Sequence, residues 1–130
     1  MLKEERILTG IKGLDKLTES GFEKNSAVLV CGGGGSGKSI FATQFLMEGI
    51  LHHNETGIYI SFEEVKERFY KHMFVFGWDL RKLEEQGRFI FLKYSPDRIA
   101  RIVKEKSKEI ENSIKEVEAK RIVIDSLSAY

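Results

Sequence analysis

Cysteine, proline and tryptophan each occur once in these 130 residues, and the charges of the two signs nearly cancel. A single thiol, Cys31, can close no disulfide within the chain and build no thiolate metal cluster. It follows Val28, Leu29 and Val30 in an apolar run, where a thiol reads as buried core. No run approaches the roughly 20 apolar residues needed to cross a membrane. The opening "MLKEERILTG" is charged and lacks the apolar stretch of a signal peptide. The expected setting is therefore cytoplasmic, with no membrane partner. With 21 basic and 20 acidic residues the net charge is +1. That supplies no overall attraction for nucleic acid and leaves only a local basic patch open. His52 and His53 have no third ligand in view and read as surface residues past a helix end.

What the chain does have is alternation of strand and helix patterns. Ala27–Cys31 is a short apolar run ending in glycines, as a buried parallel strand would. From Gly37 to Leu51 apolar residues recur at helical spacing, and "GIYISF" (Gly57 to Phe62) reads as a second strand. Glu64 to Phe76 reads as a helix stopped by Gly77, and Arg88 to Tyr94 as a strand. Ser95 and the lone proline, Pro96, then signal the start of a long helix with an apolar stripe from Ile99 to Val117. "RIVID", Arg121 to Asp125, is a strand ending in a carboxylate. Trp78 and the phenylalanines are expected in the core or at a subunit interface. This order predicts one α/β domain over residues 1–130, with a mainly parallel sheet and flanking helices.

Gly32-x-x-x-x-Gly37-Lys38-Ser39 matches the P-loop pattern, between an apolar strand and an amphipathic helix. A flexible glycine linker would not be expected between two such elements. Backbone N–H groups of Gly32, Gly33, Gly34, Gly35, Ser36 and Gly37, and of the first helical turn through Ile40, suit a phosphate. Lys38 supplies mobile positive charge, and the Ser39 hydroxyl suits Mg²⁺, a hard cation that takes oxygen ligands. The expected ligands are ATP and Mg²⁺.

Hydrolysis further needs a positioned water and a second carboxylate on the metal side. Asp125, at a strand end, fits the metal-side (Walker B) role. Glu63 and Glu64 end the second strand on the sheet edge that would also carry the P-loop. Either could orient or deprotonate a water. Equally, both could be first-turn acids favoured by a helix dipole.

Several stretches together resemble the KaiC-like branch of the RecA-type ATPases: "TGIKGLDKL", "GGGGSGKSIFATQFL", "YISFEE", "FGWDL" and "AKRIVIDSLSAY", in that order. The resemblance implies a RecA-like P-loop domain, often assembled into rings with ATP between subunits. It implies phosphate and Mg²⁺ roles for Lys38 and Ser39, the Walker B role for Asp125, and water activation by Glu63 or Glu64. Two departures stand out. Asn25 and Ser26 occupy a turn where the family usually has glycine, and Asn tolerates the left-handed conformation needed there. The chain also ends just past the Walker B strand, about 100 residues short of the family's usual domain, and the strands that normally flank the P-loop strand come from that later part.

The expectation is thus a fragment, a reordered sheet, or strands supplied by a second chain, as a strand-exchanged dimer or, at full length, a hexameric ring. Hydrolysis is expected to be weak or absent in this chain alone. The alternatives are a non-hydrolysing nucleotide-dependent switch or assembly module, and a recombinase- or helicase-like ATPase stimulated by single-stranded DNA.

Overall fold

The computed structural model describes residues 6–11, 13–19, 21–23, 37–62, 64–95, 112, 115 and 119–125. Several expectations lie outside them: the strand Ala27–Cys31, the turn at Asn25 and Ser26, the loop from Gly32 to Ser36, and Glu63. The long helix after Pro96 also lies outside, apart from Asn112 and Lys115, which are both helical.

Arg6–Ile7 (β1) and Phe22–Glu23 (β2) pair antiparallel, with a one-turn helix, Leu14–Leu17 (α1), between them. Asp15 is the organiser of this segment. One carboxylate oxygen accepts from the Thr9 N–H (2.9 Å) and the Thr9 hydroxyl (2.7 Å), and the other from the Gly10 N–H at 3.0 Å. The Gly10 carbonyl in turn accepts from the Gln44 side chain at 2.8 Å, which docks the segment on the next helix. Gly10 sits at φ +73°, and a Cβ there would lie 2.7 Å from Cβ of Glu48. Both the conformation and the close approach require glycine. The "TGIKGLDKL" stretch is therefore a clamp that ties the chain's beginning to the helix after the P-loop.

Burial acts to raise the Asp15 carboxyl, but the hydrogen bonds from Thr9 and Gly10 outweigh it and hold the group below its ordinary value near 3.8. A carboxyl lowered by folding stabilises the native state above its unfolded value and loses that contribution as pH falls through the folded one. Thermal melts of the native chain and of Asp15→Asn are therefore expected to differ by a constant amount above about pH 5. The gap should shrink below pH 3.8. A gap that stays constant down to pH 2 would show that the clamp carboxylate is not linked to folding.

Lys38–His52 forms the long helix α2, followed by strand β3 (Gly57–Ser61), helices α3 (Lys66–Phe74) and α4 (Leu80–Glu85), and strands β4 (Phe89–Lys93) and β5 (Arg121–Asp125). The three strands form a parallel sheet, as the alternating pattern predicts, and the structure sets their order as β4-β3-β5. β3 is buried along its whole length, which explains its apolar character on both faces. Residues of one parity, Tyr59, Phe89, Phe91 and Val123, pack with Leu46, Met47 and Ile50 of α2 and with Phe69, Tyr70 and Met73 of α3. The other parity, Ile58, Ile60 and Phe62, packs with Tyr94, Ile90, Leu92 and Ala119.

α3 begins two residues later than expected. Ser61 and Glu64 form a turn that uses those residues, and Val65 is still extended (φ −80°, ψ 150°). α4 is absent from the sequence reading; six residues are too few for a helical period to declare itself. Its cap is nevertheless present in the chain, because the Asp79 side chain accepts from the Lys82 N–H. Trp78 packs against the core, whereas Phe74 and Phe76 are exposed. His52 and His53 lie exposed at the end of α2.

Candidate nucleotide site

The parallel register determines what meets at the C-terminal edge of the sheet. Ser61 at the end of β3 is aligned with Lys93 on one side and Asp125 on the other. The Phe62 N–H donates to the Asp125 carbonyl at 2.9 Å, so the two strand ends are tied together. Just beyond, the Ser61 hydroxyl donates to the Glu64 carbonyl (2.9 Å) and accepts from the Glu64 N–H (3.1 Å). This turn brings Glu64 out on the same edge as Asp125.

α2 starts at that edge too. Gly37 precedes it in the left-handed conformation (φ +83°) and offers no side-chain cap. A helix leaves its first N–H groups without internal partners, so those of Lys38, Ser39 and Ile40 suit an anion. The Ile40 side chain packs against the core, leaving its backbone as the part suited to a phosphate. Lys38 is half-buried at the first helical position.

Ser39 and Asp125, 86 residues apart in the chain, meet directly: the Ser39 hydroxyl donates to Oδ2 of Asp125 at 2.7 Å. A hydroxyl and a carboxylate are the hard oxygen donors that magnesium takes, so these residues fit that ion. They are also the two that sequence reading assigns to it.

A third group at this point escaped sequence reading. Tyr59 donates its hydroxyl to the same Oδ2 of Asp125. Its ring is 1% exposed, with the Phe69 centroid 4.3 Å away and Phe91 stacked at 5.8 Å. Burial first, then the Asp125 carboxylate, pushes the Tyr59 hydroxyl well above the usual phenol range, so it stays a proton donor. In a strand reading a tyrosine is simply a good β-former. The available signal was parity: Tyr59 and Asp125 fall on one sheet face once β3 and β5 are neighbours in register.

Glu64 is close enough for its charge to act on Tyr59, and its Oε1 lies 3.7 Å from Nδ1 of the exposed His72. Glu63 and residues 32–36 lie outside the described residues. No helix among the described residues is long and apolar enough to cross a membrane.

Comparison with known proteins gives the family. A family model described as "ATPase: KaiC" matches residues 7–130. A UPF0273 protein of Methanocaldococcus jannaschii is 36% identical over 137 residues, spanning 95% of this chain and 57% of that protein. The circadian clock protein KaiC3 of Synechocystis is 37% identical over 132 residues, spanning 96% of this chain and 26% of that protein. A crystal structure of a KaiC-like protein from the hyperthermophilic archaeon Pyrococcus horikoshii superposes with a TM-score of 0.81 at 35% identity, covering 95% of this chain and 54% of that one. The chain thus spans from about a quarter to somewhat over half the length of these relatives. The fold is that of a RecA-type P-loop domain, and the chain belongs to the KaiC family of ATPase domains.

Proposed function

We propose that this chain binds ATP together with Mg²⁺ and hydrolyses it slowly. Family membership supports an ATPase-type function in general. The observation that carries the finer reading is the Ser39–Asp125 hydrogen bond, which joins the P-loop helix to the end of β5. In this reading the N–H groups from Gly32 to Ile40 hold phosphate oxygens, and Lys38 adds a positive charge beside them. Ser39 and Asp125 hold the metal, whose contribution when bound is to neutralise charge on the phosphate oxygens.

Glu63 or Glu64 orients the attacking water and takes its proton on a carboxylate oxygen. The Ser61 turn supports Glu64 for this role, because it ties the Glu64 backbone at both N–H and carbonyl. Slow turnover is expected because, apart from Lys38, no residue assigned to the site is cationic. An added cation is often worth orders of magnitude in phosphoryl transfer.

Glu64→Gln tests the reading. ATP turnover should fall about 100-fold, the scale of general-base loss, while ATP affinity stays within about twofold of the native value. Loss of turnover in Glu63→Gln instead would move the role by one residue. Tight ATP binding with no turnover in the native chain would replace the ATPase reading with the non-hydrolysing assembly module.

A further inference from the structure

We propose that Tyr59 is a positioning residue for the metal-side carboxylate, holding Asp125 in the orientation that the magnesium site requires. The inference rests on the Mg²⁺-nucleotide reading of the site. The geometry behind it is an asymmetry between the two hydroxyls that meet at Oδ2 of Asp125. Ser39 belongs to the site itself, and its oxygen lone pair is what the metal would use. Tyr59 belongs to the core: its ring packs against both Phe69 and Phe91, which also touch each other, and its backbone lies in the fully buried β3.

An aspartate at a strand end can rotate about two side-chain bonds, and half-buried Asp125 has a wet side to rotate toward. A donor anchored in the core removes that freedom before any ligand arrives. Both described donors fall on Oδ2, and neither bond uses Oδ1. Oriented carboxylates of this kind gain about 10- to 100-fold in metal affinity from their outer partners. The bond joins residues 66 positions apart, from adjacent parallel strands. It exists only because β3 and β5 are neighbours in this register.

Tyr59→Phe removes the donor and keeps the ring, so packing is nearly unchanged. The experiment measures ATP binding as a function of Mg²⁺ concentration, and again in chelator, for the native chain and the variant. In Tyr59→Phe the half-saturating Mg²⁺ concentration should rise about tenfold. Affinity for ATP in chelator and the melting temperature should stay near the native values. A native-like half-saturation overturns the role of Tyr59 alone. A native chain with no magnesium dependence overturns the site reading and this inference with it.

A second variant separates positioning from general loosening of the core. Tyr59 acts through Asp125, so adding Tyr59→Phe to Asp125→Asn should cause no further loss of ATP affinity. A second, independent loss would mean that Tyr59 serves the fold and not the carboxylate.

Discussion

Asp125→Asn is expected to abolish most of the magnesium dependence of nucleotide binding and to lower any ATP turnover by about 100-fold or more. Asparagine keeps the size of the side chain and one acceptor oxygen. Ser39 and Tyr59 would both compete for that oxygen, where they now share a charged carboxylate. What disappears is the negative charge that suits a divalent cation beside phosphate. Stability should change little, because each hydrogen bond to the retained oxygen is worth only about 1 kcal/mol net. The measurement is magnesium titration of ATP binding alongside a thermal melt. Turnover and magnesium dependence within threefold of the native chain would remove Asp125 from the site.

Arg121→Ala should produce the largest loss of stability, about 3–5 kcal/mol, for a reason unrelated to nucleotide. Arg121 opens β5 with a side chain only 2% exposed, and its Nε donates to Oε1 of Glu55 at 2.9 Å. Its Nη1 donates to the Phe45 carbonyl at 2.8 Å, and its guanidinium lies 4.7 Å from the centre of the Phe45 ring. Gly49 permits this arrangement, since a Cβ there would fall 2.6 Å from both Cδ and Nε of Arg121.

Truncation would leave the Glu55 carboxylate, itself only 16% exposed, without its buried counter-charge. Against a total stability of about 5–15 kcal/mol for a domain, such a loss is large. The melting temperature should drop by about 10–20 °C. Arg121→Lys should rescue little, because an ammonium cannot reproduce a planar fork that bonds two acceptors and lies over a ring. A drop under about 3 °C in Arg121→Ala would show that the pair is worth no more than an exposed one.

The contrast between these two residues, four positions apart on one strand, shows what was legible. Asp125 could be singled out because a carboxylate closing an apolar strand is conspicuous, and the structure does place it at the end of β5 against Ser39. Arg121 was not, because an arginine at the start of a strand ordinarily lies in water. Its burial depends on Gly49 and Glu55, which belong to another helix and the loop after it. The "TGIKGLDKL" segment is a similar case. Its order marked a family, but that Asp15 gathers Thr9 and Gly10, and that Gln44 reaches Gly10, required the folded clamp. α4 was missed for a different reason: a helix of under two turns shows its cap but not its period.

The sequence alone determined where β3 and β5 run and that α2 begins directly after a glycine, and it supplied the candidates for phosphate and metal. Such features depend on side-chain type and on periods of 2 and 3.6, and both are written along the chain. Tertiary structure decided the pairing. It set Ser61 beside Asp125, brought Ser39 within 2.7 Å of that carboxylate, and aimed a core tyrosine at the same oxygen. Periodicity tells which face a side chain takes, but it does not say which strand lies alongside or at what offset. Those follow from how α2 and α3 cover the sheet, because a one-residue slip would turn Tyr59 and Asp125 to opposite faces.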